Sequence, residues 1–266
     1  MKIQLITMWY NEEFLAPFFL NHYKWVDTIH IILDSDTDDN TESIIRQFPN
    51  VKVHHFRFPD MMDDIIKSTV ISQHYKFIND ADYVIIVDSD EFIFPFDLSK
   101  TVREHLELTS KDIYFVNLWQ IYKHDQDQPL DPDIPIYLQR RHGDPNMDCP
   151  ENIGYLKPIV VKSGLDIFWG IGNHYAVYQG LKLEWNARHN VYKTSLKVAD
   201  IKTDMLQGAH WRLVDIDETI KRRITNRRNR QSAVNLDRGL TAHYHHITEA
   251  EIIAEYEQHK NDPVVI

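Results

Sequence analysis

Residues 83–92 read YVIIVDSDEF, an apolar run from Val84 to Val87 that leads straight into Asp88, Asp90 and Glu91. A short uninterrupted apolar run bounded by turn residues predicts a strand buried on both faces, as in a sheet covered by helices. Three carboxylates at its end are costly. Two such charges ~5 Å apart repel by roughly 3 kcal/mol at an effective dielectric near 20, so a cation, a proton or open solvent must relieve them.

The rest of the first ~120 residues alternates in the same way. Lys2 to Met8 predicts a strand, and Phe14, Leu15, Phe18, Phe19 and Tyr23 then recur at helical spacing, with Pro17 early enough to sit in a first turn. Strands are predicted at Thr28 to Leu33 and Val51 to Phe56, and a helix at Met61 to Asn79. This βαβα rhythm predicts an α/β fold: a mostly parallel central sheet with flanking helices. Acid-rich loops follow Leu33 and Val87. Both fall at the carboxyl ends of predicted strands, where open α/β sheets bind their ligands.

After Leu118 the pattern changes. Residues 123 to 153, rich in Asp, Pro, Gln and Asn, predict a long loop; strand-like pieces follow at 157–162, 174–180 and 206–213, then helices near 215–231 and 248–259. The expected organisation is one domain over 1–266: a ligand-binding part to 120, an active-site part over 121–214 and C-terminal helices over 215–266.

Composition narrows the function classes. The net charge of −11 argues against a nucleic-acid binder, because phosphate backbones reward basic surfaces. The single cysteine, Cys149, allows no disulfide within the chain. No stretch approaches the ~18 apolar residues of a membrane span. The expected location is cytoplasmic.

The loop DSDTDDNT, Asp34 to Thr41, fits an EF-hand at its first three ligand positions, but that motif requires Gly at its sixth position and Glu at its twelfth, where this chain has Asp39 and Ile45. Calcium is excluded. A solvated turn capping a helix near Thr41 and a nucleoside-binding loop both remain.

Taken together, MWYNEEFLAPFFLNHY, DSDTDDNT and VDSDEF resemble the GT-A glycosyltransferases of the broad family-2-like group. Asn11 and Glu12 match that family's Asn-Glu pair after the first strand. Asp34, Asp39 and Thr41 match its second motif, with Thr37 in place of Ser, and Asp36 and Asn40 replacing glycines. Asp88, Asp90, Glu91 and Phe92 match its Asp-x-Asp-Glu-Phe element. The match covers residues 1–95; YLKPIVV, GNHYA and GAHWRL resemble later segments more loosely.

The resemblance implies a GT-A (nucleotide-diphospho-sugar transferase) fold. It also implies transfer of a sugar from a UDP- or GDP-linked donor to a saccharide or lipid-linked acceptor, as in surface polysaccharide assembly. It places the donor against Thr7, Tyr10, Asn11, Glu12, Asp34, Lys67, Asp88 and Ser89, and a Mn2+ or Mg2+ ion at Asp88 and Asp90 with His174 or His210. The base that takes the acceptor proton is sought among Asp144, Asp148 and Glu151. Arg140, Arg141 and Lys157 are further phosphate or acceptor candidates. The basic run KRRITNRRNR at 221–230 is expected to be an exposed helix side, a dock for an anionic acceptor or a peripheral membrane contact. HYHH at 243–246 is expected to be a surface or interface feature. Two other readings stand beside this one: a nucleotidyltransferase that makes the sugar nucleotide, and a non-catalytic saccharide-binding domain.

Overall fold

The computed structural model describes residues 1–144, 156–184, 193–199, 206–240 and 242–266. Its centre is an eight-stranded mixed sheet. In chain order the strands are β1 (Ile3–Trp9), β2 (Thr28–Asp34), β3 (Val51–Phe56), β4 (Tyr83–Ile86), β5 (Glu91–Pro95), β6 (Ile113–Tyr122), β7 (Leu156–Lys162) and, after a separate three-stranded sheet, β11 (Leu206–Leu213). The spatial order is β3-β2-β1-β4-β7-β6-β11-β5. The β3-β2-β1-β4 half is parallel throughout, whereas β7 and β5 run against their neighbours. The small sheet is the antiparallel meander β8 (Ile167–Trp169), β9 (Ala176–Tyr178) and β10 (Leu181–Leu183).

The pleat sorts apolar side chains onto two faces, because successive residues of a strand point to opposite sides. Ile3, Leu5, Ile29, Ile31, Leu33 and Ile85 belong to one core, packed under α1 (Ala16–His22), α2 (Thr41–Ile45) and α4 (Val102–Thr109). Ile6, Ile32, Val84 and Ile86 belong to the other, under α3 (Asp64–Phe77) and the small sheet. This two-sided burial is what the unbroken VIIV run requires.

Several expectations need correction. The segment after Asp90 is a strand, β5, that pairs antiparallel with β11 at the sheet edge, and α4 was not anticipated either. The strand expected at 174–180 contracts to β9, because Gln179 and Gly180 both take left-handed backbone. The helix expected near 215–231 is α-helical only over Ile216–Ile220, widens into a π-helical turn over Lys221–Arg227 and tightens over Arg228–Arg230. Such irregular turns recur at functional sites. Among the described residues, no helix is long and apolar enough to cross a membrane.

Candidate active site

β1, β2 and β4 run parallel, so the loops after Trp9, Asp34 and Ile86 emerge side by side. A cavity of about 360 Å³ lies there, with Tyr10, Glu12, Asp34, Asp88, Asp90 and His174 in its wall. Asn11 makes the turn out of β1 with φ 48°, a left-handed conformation that Asn tolerates. The Asn11 amide and Asp38 exchange two hydrogen bonds, and the Glu12 N–H donates to Thr41 Oγ1 at 2.7 Å. The two loops are thereby fastened together. Asp39 accepts from the N–H groups of Glu13 and Thr41, so its role in DSDTDDNT is structural, whereas Asp34 faces the cavity.

The charges that opened the problem are relieved by side-chain cations. Lys67 from α3 donates to Asp88 Oδ1 at 2.7 Å, and Lys157 from β7 bonds Glu91 while standing 3.7 Å from Asp88 Oδ2. Arg222 donates to Asp90 Oδ2 at 2.5 Å and, through Nη2, to Glu12 and Ser89. Arg227 adds a second bond to Glu12, which is 3% exposed. Burial alone would raise the Asp88 carboxyl, but Lys67 and Lys157 prevail and hold it well below the usual carboxylate range. Burial is likewise outweighed at Asp90 by Arg222 and His210. Glu91 goes the other way: burial raises it in spite of Lys157.

The basic run at 221–230 is therefore not simply an exposed docking face. Its π-helical turn aims Arg222 and Arg227 into the acidic site, Arg230 donates to Asp34 Oδ2 at 2.9 Å, and Arg223 is buried against Glu255. The Arg230 guanidinium also lies 3.5 Å from the centre of the Tyr10 ring. Its Nη1 is buried with no partner among the described residues. HYHH is corrected in part: His245 and His246 are exposed, but Tyr244 lines the cavity and its hydroxyl accepts from Arg227.

His174 and His210 both reach the cavity. His210 Nε2 is 3.6 Å from Asp90 Oδ2, and its Nδ1 faces Gln120 Oε1 at 2.9 Å. His174 Nδ1 is buried with no partner among the described residues, and burial, helped by Lys157, lowers its imidazole to about 3. Gly172 makes this placement possible. It has φ 59°, and a Cβ there would meet the His174 ring at 2.8 Å. Carboxylates of Asp88 and Asp90 together with a neutral, unpartnered imidazole fit a hard divalent ion in donor type. Any such ion would compete with Arg222 and Lys67 for those carboxylates.

Other expected residues stand back from the cavity. Thr7 is buried beneath it, accepting from Trp9 Nε1. Asp144 donates its N–H to the carbonyl of Gln120, a residue of the cavity wall. Asp148 and Glu151, like Cys149, lie outside the described residues. Arg140 is buried and donates to the carbonyls of Val214 and Gln128, and Arg141 donates to that of Ile266. Asp64, which sequence patterning did not single out, opens α3 and lines the cavity; burial, reinforced by Asp88, raises its carboxyl against the pull of Lys67. An acid doublet at a helix start, AspAsp at 63–64, was the signal available.

No family model matches this chain, and no curated protein does. Among solved structures it is similar to a 4-diphosphocytidyl-2C-methyl-D-erythritol synthase, at 10% identity over 62% of this chain and 78% of that one, with a TM-score of 0.35. A Bacillus anthracis protein assigned as a glucose-1-phosphate thymidylyltransferase gives 8% identity, 61% and 71% coverage and a TM-score of 0.34. A mannosyltransferase from Pyrobaculum calidifontis, solved with GDP-Man and Mn2+, gives 16% identity and a TM-score of 0.30; the match covers 45% of this chain and 35% of that one. These likenesses are remote.

Proposed function

We propose that this chain is a transferase acting on a nucleotide sugar, and that its reaction is glycosyl transfer from a nucleoside-diphosphate donor. One observation carries the reading: Asp34, ending β2, and Asp88 and Asp90, following β4 on the other side of β1, face one cavity that arginine and lysine also line. A nucleotide sugar presents both partners, with hydroxyls and ring N–H groups on its nucleoside and sugar and an anionic diphosphate between them.

In this proposal Asp34 accepts from the ribose or base, and the Tyr10 face, covered by Arg230, stacks the base. Arg230, with its unpartnered Nη1, turns to the diphosphate, joined by Arg227. Asp88, Asp90 and His174 would hold a divalent ion, which would supply charge stabilisation for the departing diphosphate. Lys67 and Lys157 hold the Asp88 carboxyl low in its absence. Asp144, Asp148 and Glu151 remain the proposed bases for the acceptor proton, and Asp64, with its raised carboxyl, joins them.

Nucleotidyl transfer is the second reading. The lysines at Asp88 favour it, since two cations in the cavity wall, one of them buried, suit a triphosphate substrate. Against it stands the loop after β1, YNEEF, which is acidic and glycine-free and is fastened to the 34–41 loop. Incubating the protein with a panel of nucleoside-diphosphate sugars, and separately with nucleoside triphosphates plus sugar 1-phosphates, decides between them. Nucleoside diphosphate release, abolished in Asp90→Ala, supports glycosyl transfer; pyrophosphate release reverses the order. Neither product would sink both.

A further inference from the structure

On the α3 side of the sheet, away from the loops that form the cavity, three histidines meet. His30 sits on β2, and His54 sits on β3 opposite Ile32, one step along on the same face. His74 comes down from α3. His30 Nδ1 is 3.0 Å from His54 Nε2 and 3.2 Å from His74 Nε2, and the three donor atoms all lie within 4.8 Å of one another.

The surrounding bonds fix the state of the innermost ring. Gln4 Nε2 donates to Asp80 Oδ1 at 2.7 Å, which leaves Gln4 Oε1 facing His30 Nε2 at 2.7 Å. An amide oxygen only accepts, so His30 Nε2 carries the proton and His30 Nδ1 offers a lone pair. That one lone pair can accept a single N–H, yet two ring nitrogens stand within hydrogen-bond distance of it. Hydrogen bonding alone therefore leaves one close contact unsatisfied. A cation at the centre satisfies all three.

We infer that His30, His54 and His74 form a binding site for a divalent transition-metal ion of the zinc class, with solvent completing the coordination. Tetrahedral Zn–N bonds of about 2.05 Å place ligand nitrogens roughly 3.3 Å apart, close to the spacing here. Imidazole donors select Zn2+, Co2+, Ni2+ or Cu2+ over Mg2+ and Mn2+, so this site differs in kind from the carboxylates of the cavity. The Asp80–Gln4–His30 chain is the outer-shell support that orients a ligating imidazole. Asp80 is itself held by an ion pair with Lys2. The ion would tie the edge strand β3 to β2 and α3. This inference shares no residue with the proposed reaction and stands whether or not that reaction is right.

The test uses the full chain without a histidine tag, stripped with chelator and titrated with Co2+ and then Zn2+. One equivalent of Co2+ should give the visible absorption of a low-coordinate cobalt–imidazole site, and Zn2+ should abolish that absorption by displacement. Saturating Zn2+ should raise the melting temperature by several degrees, as any ligand of the folded state does. His54→Gln and His74→Gln should each weaken binding by about 100-fold, and Gln4→Leu by roughly 10-fold, whereas Asp90→Asn should not change it. No Co2+ or Zn2+ binding to the wild-type chain would overturn the inference. Undiminished binding in His54→Gln/His74→Gln would overturn it too, by placing the ion at His245 and His246 or in the cavity.

Discussion

Arg222 bridges Asp90 and Glu12, residues 132 and 210 positions earlier in the chain. Through that guanidinium the C-terminal segment closes over the acids that end β1 and β4. Removing one partner of a buried ion pair leaves an uncompensated charge, which typically costs about 3–5 kcal/mol. Arg222→Ala should therefore lower stability by about 3 kcal/mol in urea unfolding, since Arg227 and His210 still offset part of the charge. A loss below about 1 kcal/mol would mean the contact is a loose surface pair.

Lys157 and Glu91 make a comparable pair on the other side of Asp88, with Glu91 1% exposed. Lys157→Met should destabilise by about 3 kcal/mol or more, because it strands a buried carboxylate. Lys157→Met with Glu91→Gln should recover roughly half of that loss, as neutral partners need no compensation. Additive losses in chemical denaturation would contradict the pairing.

Gly208 on β11 lies between β5 and β6, where an added Cβ would sit 2.4 Å from the Phe92 carbonyl oxygen and 2.8 Å from Leu118 Cδ2. Backbone cannot yield there cheaply. Gly208→Ala should cost about 2–3 kcal/mol, in the range of overpacked cores, and should loosen β5 and with it the Asp90 turn. Thermal unfolding and amide exchange at Phe92 and Ile93 would read both effects.

Acid should destabilise the protein before its carboxylates titrate. His22 Nε2 donates to the Ile93 carbonyl at 2.9 Å, and burial pushes the imidazole down to about 4 although that bond works to raise it. An unfolded histidine titrates near ~6.5, so below that pH the unfolded chain takes a proton the folded one refuses. The contribution of this group is fully present above pH ~6.5 and falls as pH drops toward about 4, by up to about 3 kcal/mol. His22→Gln keeps a donor for Ile93 and removes the titration. Its melting temperature should therefore vary less with pH between 4 and 6.5 than that of the wild type; an unchanged slope would contradict the assignment.

What could be read from sequence was what is local. VIIV followed by DSDE, and TIHIIL followed by DSD, gave buried strands with acids at their ends, and those ends do meet at one cavity. The neutralising cations could not be read, because Lys67, Lys157 and Arg222 reach the acids across 21 to 132 positions of chain. For that reason the acid cluster pointed to a metal ion alone, whereas the fold also brings cations of its own to the same carboxylates. The π-helical turn that aims the arginines inward also leaves no simple periodic pattern. His30, His54 and His74 were hidden in the same way: they stand on three separate elements, and only the register of β2 with β3 and the packing of α3 bring them together.

The most direct test of the proposed function is a calorimetric titration of UDP and GDP, each with and without Mn2+, into the wild-type chain and Asp34→Ala. The account predicts that one nucleotide binds, more tightly with Mn2+, and that Asp34→Ala weakens it by about 10-fold, the worth of a hydrogen bond to a charged group. No heat with either nucleotide, or binding indifferent to Asp34, would contradict the claim that this cavity holds a nucleotide sugar.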